Sequence, residues 1–164
     1  MNKKGLFISF EGPEAVGKSS QIRSLKFYLK KKRIPHLITR EPGGSRISEK
    51  IRNLILEKKF NITANEEILL LMAGRIDHIN NIIKPALKKG KLVITDRFAD
   101  STFVYQGYVN NFGLQNSIKL HRLLLNNFLP NLFLGSIPFT LENIACFSFL
   151  ISFDAEFTID PCLS

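Results

Sequence analysis

Gly12-Pro13-Glu14-Ala15-Val16-Gly17-Lys18-Ser19 fills every fixed position of the phosphate-binding pattern G-x-x-x-x-G-K-[ST]. Its flanks suit that reading. Leu6-Phe7-Ile8-Ser9-Phe10 precedes it as an apolar run of the kind that forms a buried strand. A helical pattern follows from residue 18. A loop between such elements turns backbone N–H groups at a helix N-terminus toward phosphate oxygens. Gly12 and Gly17 allow close backbone approach, Lys18 reaches the β- and γ-phosphates as a point charge, and the Ser19 hydroxyl is a ligand for Mg²⁺. The bland alternative is a chance glycine turn. The expectation is a nucleoside triphosphate site built from Gly12, Pro13, Glu14, Ala15, Val16, Gly17, Lys18 and Ser19.

Outward from the loop, residues 5–10 read as a first strand and 18–32 as a first helix with Ile22, Leu25 and Leu29 on one face. Pro35 ends that element. His36-Leu37-Ile38-Thr39 is a second strand, delivering Arg40-Glu41-Pro42-Gly43-Gly44 as a loop. Ser45 is an N-cap candidate for a helix through Ile47, Ile51, Leu54 and Ile55. Asn65 is the N-cap candidate for a longer helix beginning Glu66-Glu67 and running through Leu69, Leu70 and Ile76. Pro85 lies at or near a break and Gly90 ends the helical pattern. Leu92-Val93-Ile94-Thr95 is a third strand, ending in Asp96-Arg97, and a helix follows around 114–126. Strands alternating with helices predict an α/β fold with a parallel, doubly wound sheet flanked by helices.

The 164 residues suit one domain with a sizeable core. The most apolar segment, Ile144 to Phe153, is about half the length a transmembrane helix needs. Met1-Asn2-Lys3-Lys4 leads straight into the first strand, which argues against a signal peptide. Cys146 and Cys162 form no C-x-x-C pair, so a reduced, cytoplasmic setting is expected. The net charge of +9 raises the question of nucleic acid. Lys30-Lys31-Lys32-Arg33, however, closes a predicted helix, where cations complement the dipole, and no aromatics interleave it. The reading is a collector of polyanionic nucleotides, with no nucleic acid and no membrane as partner.

All 23 Lys and Arg residues lie at or before Arg122. Leu123 to Ser164 holds none, but carries four acids (Glu142, Asp154, Glu156, Asp160) and half of the 14 phenylalanines. So sharp a shift implies a boundary or an abnormal reading frame.

Asp96 closes a buried strand, where open α/β sheets place ligands, and opposite a phosphate loop it suits Mg²⁺, held directly or through water. Its alternative is a strand-end Asp capping a turn. Arg97 is a candidate phosphate clamp, because a guanidinium matches phosphate oxygens bidentately. Arg40 and Arg75, taken singly, are ordinarily explained as surface salt-bridge residues.

Taken together these residues resemble the thymidylate kinase family. The blocks are Phe10-Glu11-Gly12, Thr39-Arg40-Glu41-Pro42-Gly43-Gly44, Ala73-Gly74-Arg75, Ile83-Lys84-Pro85-Ala86-Leu87, Asp96-Arg97-Phe98, and Ser101-Thr102 through Tyr105-Gln106-Gly107. They occur in the family's order and spacing over roughly residues 5–132. The resemblance implies transfer of the ATP γ-phosphoryl group to dTMP, giving dTDP, with Mg²⁺, in a homodimer. It implies catalytic roles for Lys18, Asp96 and Arg97. Arg97 and Arg40 hold the dTMP phosphate, Arg75 addresses the thymine edge, and Thr102 and Gln106 make polar contacts to the nucleoside. It implies that Tyr105 lies beneath the deoxyribose and excludes a 2′-hydroxyl, and that Glu14 stands near the 3′-hydroxyl or its bridging water. Leu71 stands where the family often stacks a phenylalanine on thymine, losing aromatic stacking worth about 1 kcal/mol.

The pattern also departs from the family. Some members carry a catalytic arginine in the phosphate loop, and others place arginines in a lid after the fourth strand. Pro13-Glu14-Ala15-Val16 has no arginine, which assigns the chain to the lid group, yet no arginine follows Arg122. The expectation is a kinase core over 1–132 and a divergent tail over 133–164 whose composition fits a shifted frame, against an unusual but genuine C-terminal domain. Impaired transfer follows from that. The rival readings are a nucleotide-binding remnant without useful catalysis and a deoxynucleoside kinase. A P-loop GTPase is disfavoured because no N-K-x-D motif stands at the needed place.

Overall fold

The computed structural model describes residues 4–13, 15–57 and 59–135. Glu14 and the segment 136–164 lie outside them, and so do the expectations placed there: the sugar-facing carboxylate and most of the divergent tail, where the lid arginines are missing.

The elements in chain order are β1 (Leu6–Phe10), α1 (Lys18–Lys31), β2 (His36–Arg40), α2 (Arg46–Leu56) and α3 (Ala64–His78). A π-helical turn (Ile79–Ile83) then runs into α4 (Lys84–Lys88), followed by β3 (Leu92–Asp96) and α5 (Ala99–Thr102). A second π-helical stretch (Phe103–Val109), α6 (Leu114–Leu125) and β4 (Leu132–Leu134) follow within the described residues. The strands form one parallel sheet in the order β2-β3-β1-β4. β4 therefore crosses the boundary drawn at residue 132.

Strand periodicity sorts the core. Phe7 and Val93 point to one face of the sheet, where Ile68, Met72, Ile79, Ile83, Phe98 and Leu125 pack on them. Ile8, Phe10, Leu92 and Ile94 point to the other, against Ile22, Leu25 and Leu29 of α1. Both faces are covered, which is why β1 and β3 are near-continuously apolar. The chain leaves β1 toward one side of the sheet and leaves β3 toward the other. That makes the β1–β3 crevice, at the strands' C-terminal ends, the topological switch point where such sheets place ligands. Phe10 and Asp96 are paired there in register.

Two local expectations are corrected, and two, the Ser45 N-cap position and the end of α1, hold with added detail. Thr63, not Asn65, caps α3: its hydroxyl accepts the Glu66 N–H at 3.3 Å while the Glu66 carboxylate accepts the Thr63 N–H at 2.7 Å. Asn65 lies inside the first turn. Ser45 has N-cap geometry before α2 but its hydroxyl makes no capping bond and is buried without a partner. Pro85 does not break the chain out of helix. The wider π-helical turn just before it makes room for a ring that lacks an N–H and crowds the preceding turn. Finally, α1 ends before Pro35. Ile34 N–H bonds the Leu29 carbonyl and Arg33 N–H the Lys30 carbonyl, with Arg33 left-handed at φ 56°. That is a Schellman closure with arginine where glycine usually stands.

Candidate active site

The loop after β1 carries left-handed φ angles at Ala15 (63°) and Gly17 (86°), and α1 begins at Lys18. Such turns aim successive N–H groups at one point and make an anion cradle. Alanine at φ 63° is strained, as functional loops often are. Lys18 is only 7% exposed, and its Nζ donates to the carbonyls of Gly12 (2.9 Å) and Pro13 (2.7 Å). The ammonium is thus held against the loop it serves. Ser19 follows in the first turn and is exposed.

Asp96 ends β3 beside this loop. Its Oδ1 is buried with no hydrogen-bond partner among the described residues. An ionised carboxylate oxygen can only accept, so an orphaned one at this place fits a hard cation or that cation's water. The next residue, Arg97, is left-handed at φ 69° and its N–H bonds the Phe10 carbonyl at 2.9 Å. Its guanidinium donates to Ser101 Oγ at 3.2 Å and lies over the Tyr105 ring at 5.6 Å.

Glu11 ties the two loops together. One carboxylate oxygen accepts the Phe98 N–H and the other the Ser101 hydroxyl, each at 2.7 Å. Burial pushes this carboxyl up from its ordinary value; the Ser101 bond offsets part of the rise and the Asp100 charge adds to it. Burial likewise raises Asp100, against the pull of Arg75.

Arg40 ends β2 in register with Asp96 and donates to both Glu49 oxygens, at 3.1 and 3.0 Å. The pair is half-exposed, so it is weak and open to exchange for a phosphate. The next carboxylate points inward instead. Glu41 accepts Arg75 Nε at 2.6 Å and His78 Nδ1 at 2.9 Å, all three side chains being at most 5% exposed. Since the carboxylate can only accept, Nδ1 carries a proton. His78 Nε2 in turn pairs with Thr39 Oγ1 at 2.7 Å. Gly44, at φ 83°, lies against these two groups, and a Cβ there would collide with both. The loop after β2 is thereby pinned to α3.

Arg75 is also held from the other side. Nη2 donates to the Phe98 carbonyl (2.9 Å) and Thr102 Oγ1 (2.7 Å), and the guanidinium lies 5.0 Å above the Phe98 ring. Nη1 is buried without a partner among the described residues. Leu71 lies one turn earlier on α3 and is half-buried. Gln106 is 8% exposed and donates through Nε2 to Glu67 Oε1 at 3.0 Å. Tyr105 is 40% exposed.

The structure thus gathers Lys18, Asp96 and Arg97 at the β1–β3 crevice, with Arg40 at the adjoining strand end and Arg75, Thr102 and Gln106 between α3 and the second π-helical stretch. Sequence reasoning gave no role to Glu11, Glu41, Glu67, His78 or Ser101. Glu11 and Glu41 stood inside quoted blocks, and Arg75 and His78 share a helix face at i, i+3; nothing in the sequence names their partners. A depression of about 480 Å³ on the outer side of α2 and α3, lined by Leu54, Phe60, Ile62, Leu69 and Leu70, holds none of the expected residues.

A P-loop at the switch point of a parallel sheet, faced by strand-end arginines, is the P-loop fold of nucleoside-monophosphate-kinase type. The thymidylate kinase family model matches residues 10–135. A thymidylate kinase of Psychrobacter is 46% identical over 130 residues, 78% of this chain and 62% of the relative. One of Bartonella quintana is 47% identical over 136 residues, 82% of this chain and 64% of the relative. The crystal structure of thymidylate kinase from Ehrlichia chaffeensis superposes with a TM-score of 0.72 at 34% identity, covering 80% of this chain and 74% of that one. This chain belongs to the thymidylate kinase family. It spans between three-fifths and two-thirds of the length of the curated relatives it matches.

Proposed function

We propose that the chain binds ATP with Mg²⁺ on the Gly12–Ser19 loop, binds dTMP between α3 and the Arg97 loop, and transfers the γ-phosphoryl group to give dTDP. An oxygen of the dTMP 5′-phosphate forms the new bond to the γ-phosphorus, the bond to the β–γ bridging oxygen breaks, and ADP leaves. The single observation that carries this reading is the Glu11 bridge, which joins the donor loop to the arginine loop through two 2.7 Å bonds. It supports a site in which two phosphate binders keep a set separation, as in-line transfer requires.

Lys18 neutralises the β- and γ-phosphates, and Arg97 with Arg40 holds the acceptor phosphate. Mg²⁺, which Ser19 and Asp96 would hold, supplies charge neutralisation on the triphosphate. Arg75 offers Nη1 to the base, and Leu71 is the apolar wall beside it. Thr102 acts by anchoring Arg75, and Tyr105 packs under the sugar. A cytoplasmic, homodimeric setting belongs to the same proposal, on the family's pattern.

The test is calorimetry of the 164-residue chain with Mg²⁺–ATP and with dTMP, together with an assay for dTDP. Lys18→Ala should lose ATP affinity and keep dTMP affinity; Arg97→Ala should do the reverse. A folded chain that binds neither nucleotide would refute the proposal. The second reading, a nucleotide-binding remnant, is favoured by the lack of any Lys or Arg across residues 123–164. Binding of both ligands with no dTDP formed would select it.

A further inference from the structure

We propose that Glu67 decides which pyrimidine the acceptor site takes, by fixing the orientation of the Gln106 amide; this rests on the reading of the site as a nucleoside monophosphate site. Glu67, Leu71 and Arg75 follow one another at i, i+4 and i+8 along one face of α3. Facing them, Thr102, Gln106 and Asn110 repeat the same spacing from the end of α5, through the π-helical stretch, to the residue that closes it. The two rows are joined at both ends: Arg75 donates to Thr102 at 2.7 Å, and Gln106 donates to Glu67 at 3.0 Å. Asn110 Nδ2 approaches the second Glu67 oxygen at 3.4 Å.

A carboxylate has no proton to give, so only the NH₂ end of an amide can face it. Turning Gln106 over would set its carbonyl oxygen against Glu67 Oε1, acceptor against acceptor, at a residue only 8% exposed. The amide is therefore held one way, with Oε1 directed away from Glu67. At the Arg75 end the unpartnered Nη1 is a donor. The two rows then offer one acceptor and one donor. Thymine presents the complement, an N3–H donor and an O4 acceptor. Cytosine presents an N3 acceptor and an N4–H₂ donor, mismatched at both positions. Sites that reject a base in this way do so by leaving buried polar groups unpaired. Glu67 touches neither nucleotide in this account; it is a positioning residue.

Replacing Glu67 by glutamine gives Gln106 a neighbour that both donates and accepts, so either amide orientation is satisfied. Affinities for dTMP and dCMP are measured by calorimetry on the whole chain and on Glu67→Gln, with melting curves to verify folding. The dTMP preference should fall about tenfold, mainly through tighter dCMP binding, with Arg75 supplying what remains. Glu67→Ala, which removes the acceptor, is the second variant and should shift the ratio the same way. In a Gln106→Ala background, Glu67→Gln should leave the ratio unchanged. A merely structural role would weaken both nucleotides together and preserve the ratio. A wild-type chain with no preference for dTMP overturns the function reading and this inference with it. A wild-type preference that survives both Glu67 variants overturns this inference alone.

Discussion

Burial works against the Glu41 carboxylate, but the Arg75 charge and the His78 hydrogen bond outweigh it and hold its pKa below the ordinary 4.5. A carboxyl lowered in the folded state contributes stability that is complete above its ordinary value. That contribution is lost as pH falls through the lower folded value. Glu41→Gln should cost about 3–5 kcal/mol near neutral pH, because it strands a buried guanidinium. Its melting temperature should converge on that of the wild type below about pH 4.5. A gap in thermal scans that stays constant from pH 7 to pH 3 would show that Glu41 is not ionised in the fold. Only part of this is legible in sequence: Arg75 stands in a recognisable block, but its partner lies 34 residues away across the sheet edge. Sequence distance carries no sign of such a pair.

At the scale of elements, α1 shows local chemistry overriding a proline rule. Pro35 stops any helix that reaches it, yet the chain turns at Arg33 because the Schellman bonds close there. A non-glycine residue in the left-handed region costs about 1–2 kcal/mol, and glycine gives back about 0.5–1 of that through the unfolded chain. Arg33→Gly should therefore raise stability by about 0.5–1 kcal/mol, read from urea unfolding with an unchanged slope. Loss of stability would place Arg33 in contacts other than this turn. The α3 cap teaches the converse lesson. Asn65 and Thr63 both suit an N-cap, and the Glu66 carboxylate, three residues after Thr63, selects the latter by a reciprocal bond. That signal is present in Thr63-Ala64-Asn65-Glu66, while the acidic pair Glu66-Glu67 by itself points to a cap two residues later.

At the scale of the whole molecule, the cations of the described site are Lys18, Arg40, Arg75 and Arg97, and Arg75 is committed to Glu41, Phe98 and Thr102. The phosphate loop has no arginine, and residues 123–164 have no basic residue. On the proposed transfer, charge on the moving phosphoryl group is expected to be undercompensated, a deficit that in other P-loop enzymes costs about 10³–10⁵ in rate. Purified 164-residue chain should bind ATP and dTMP yet form dTDP at least about 10³-fold more slowly than the Bartonella relative in the same assay. Comparable turnover would mean that Lys18, Arg40 and Arg97 suffice, or that a second subunit lends a charge.

The parallel α/β class, the phosphate loop and the positions of Asp96 and Arg97 were readable from sequence because each is a local matter. Strand period, glycine placement and the residue at a strand's end need only a few consecutive positions. The strand order was not local. That β1 lies between β3 and β4, and not beside β2, follows from which apolar faces bury one another, and it creates the crevice. The carboxylates were decided last of all. Glu11, Glu41 and Glu67 are chemically alike in the sequence, and each became a loop bridge, a buried counter-ion or an amide clamp according to the donors that folding set opposite it.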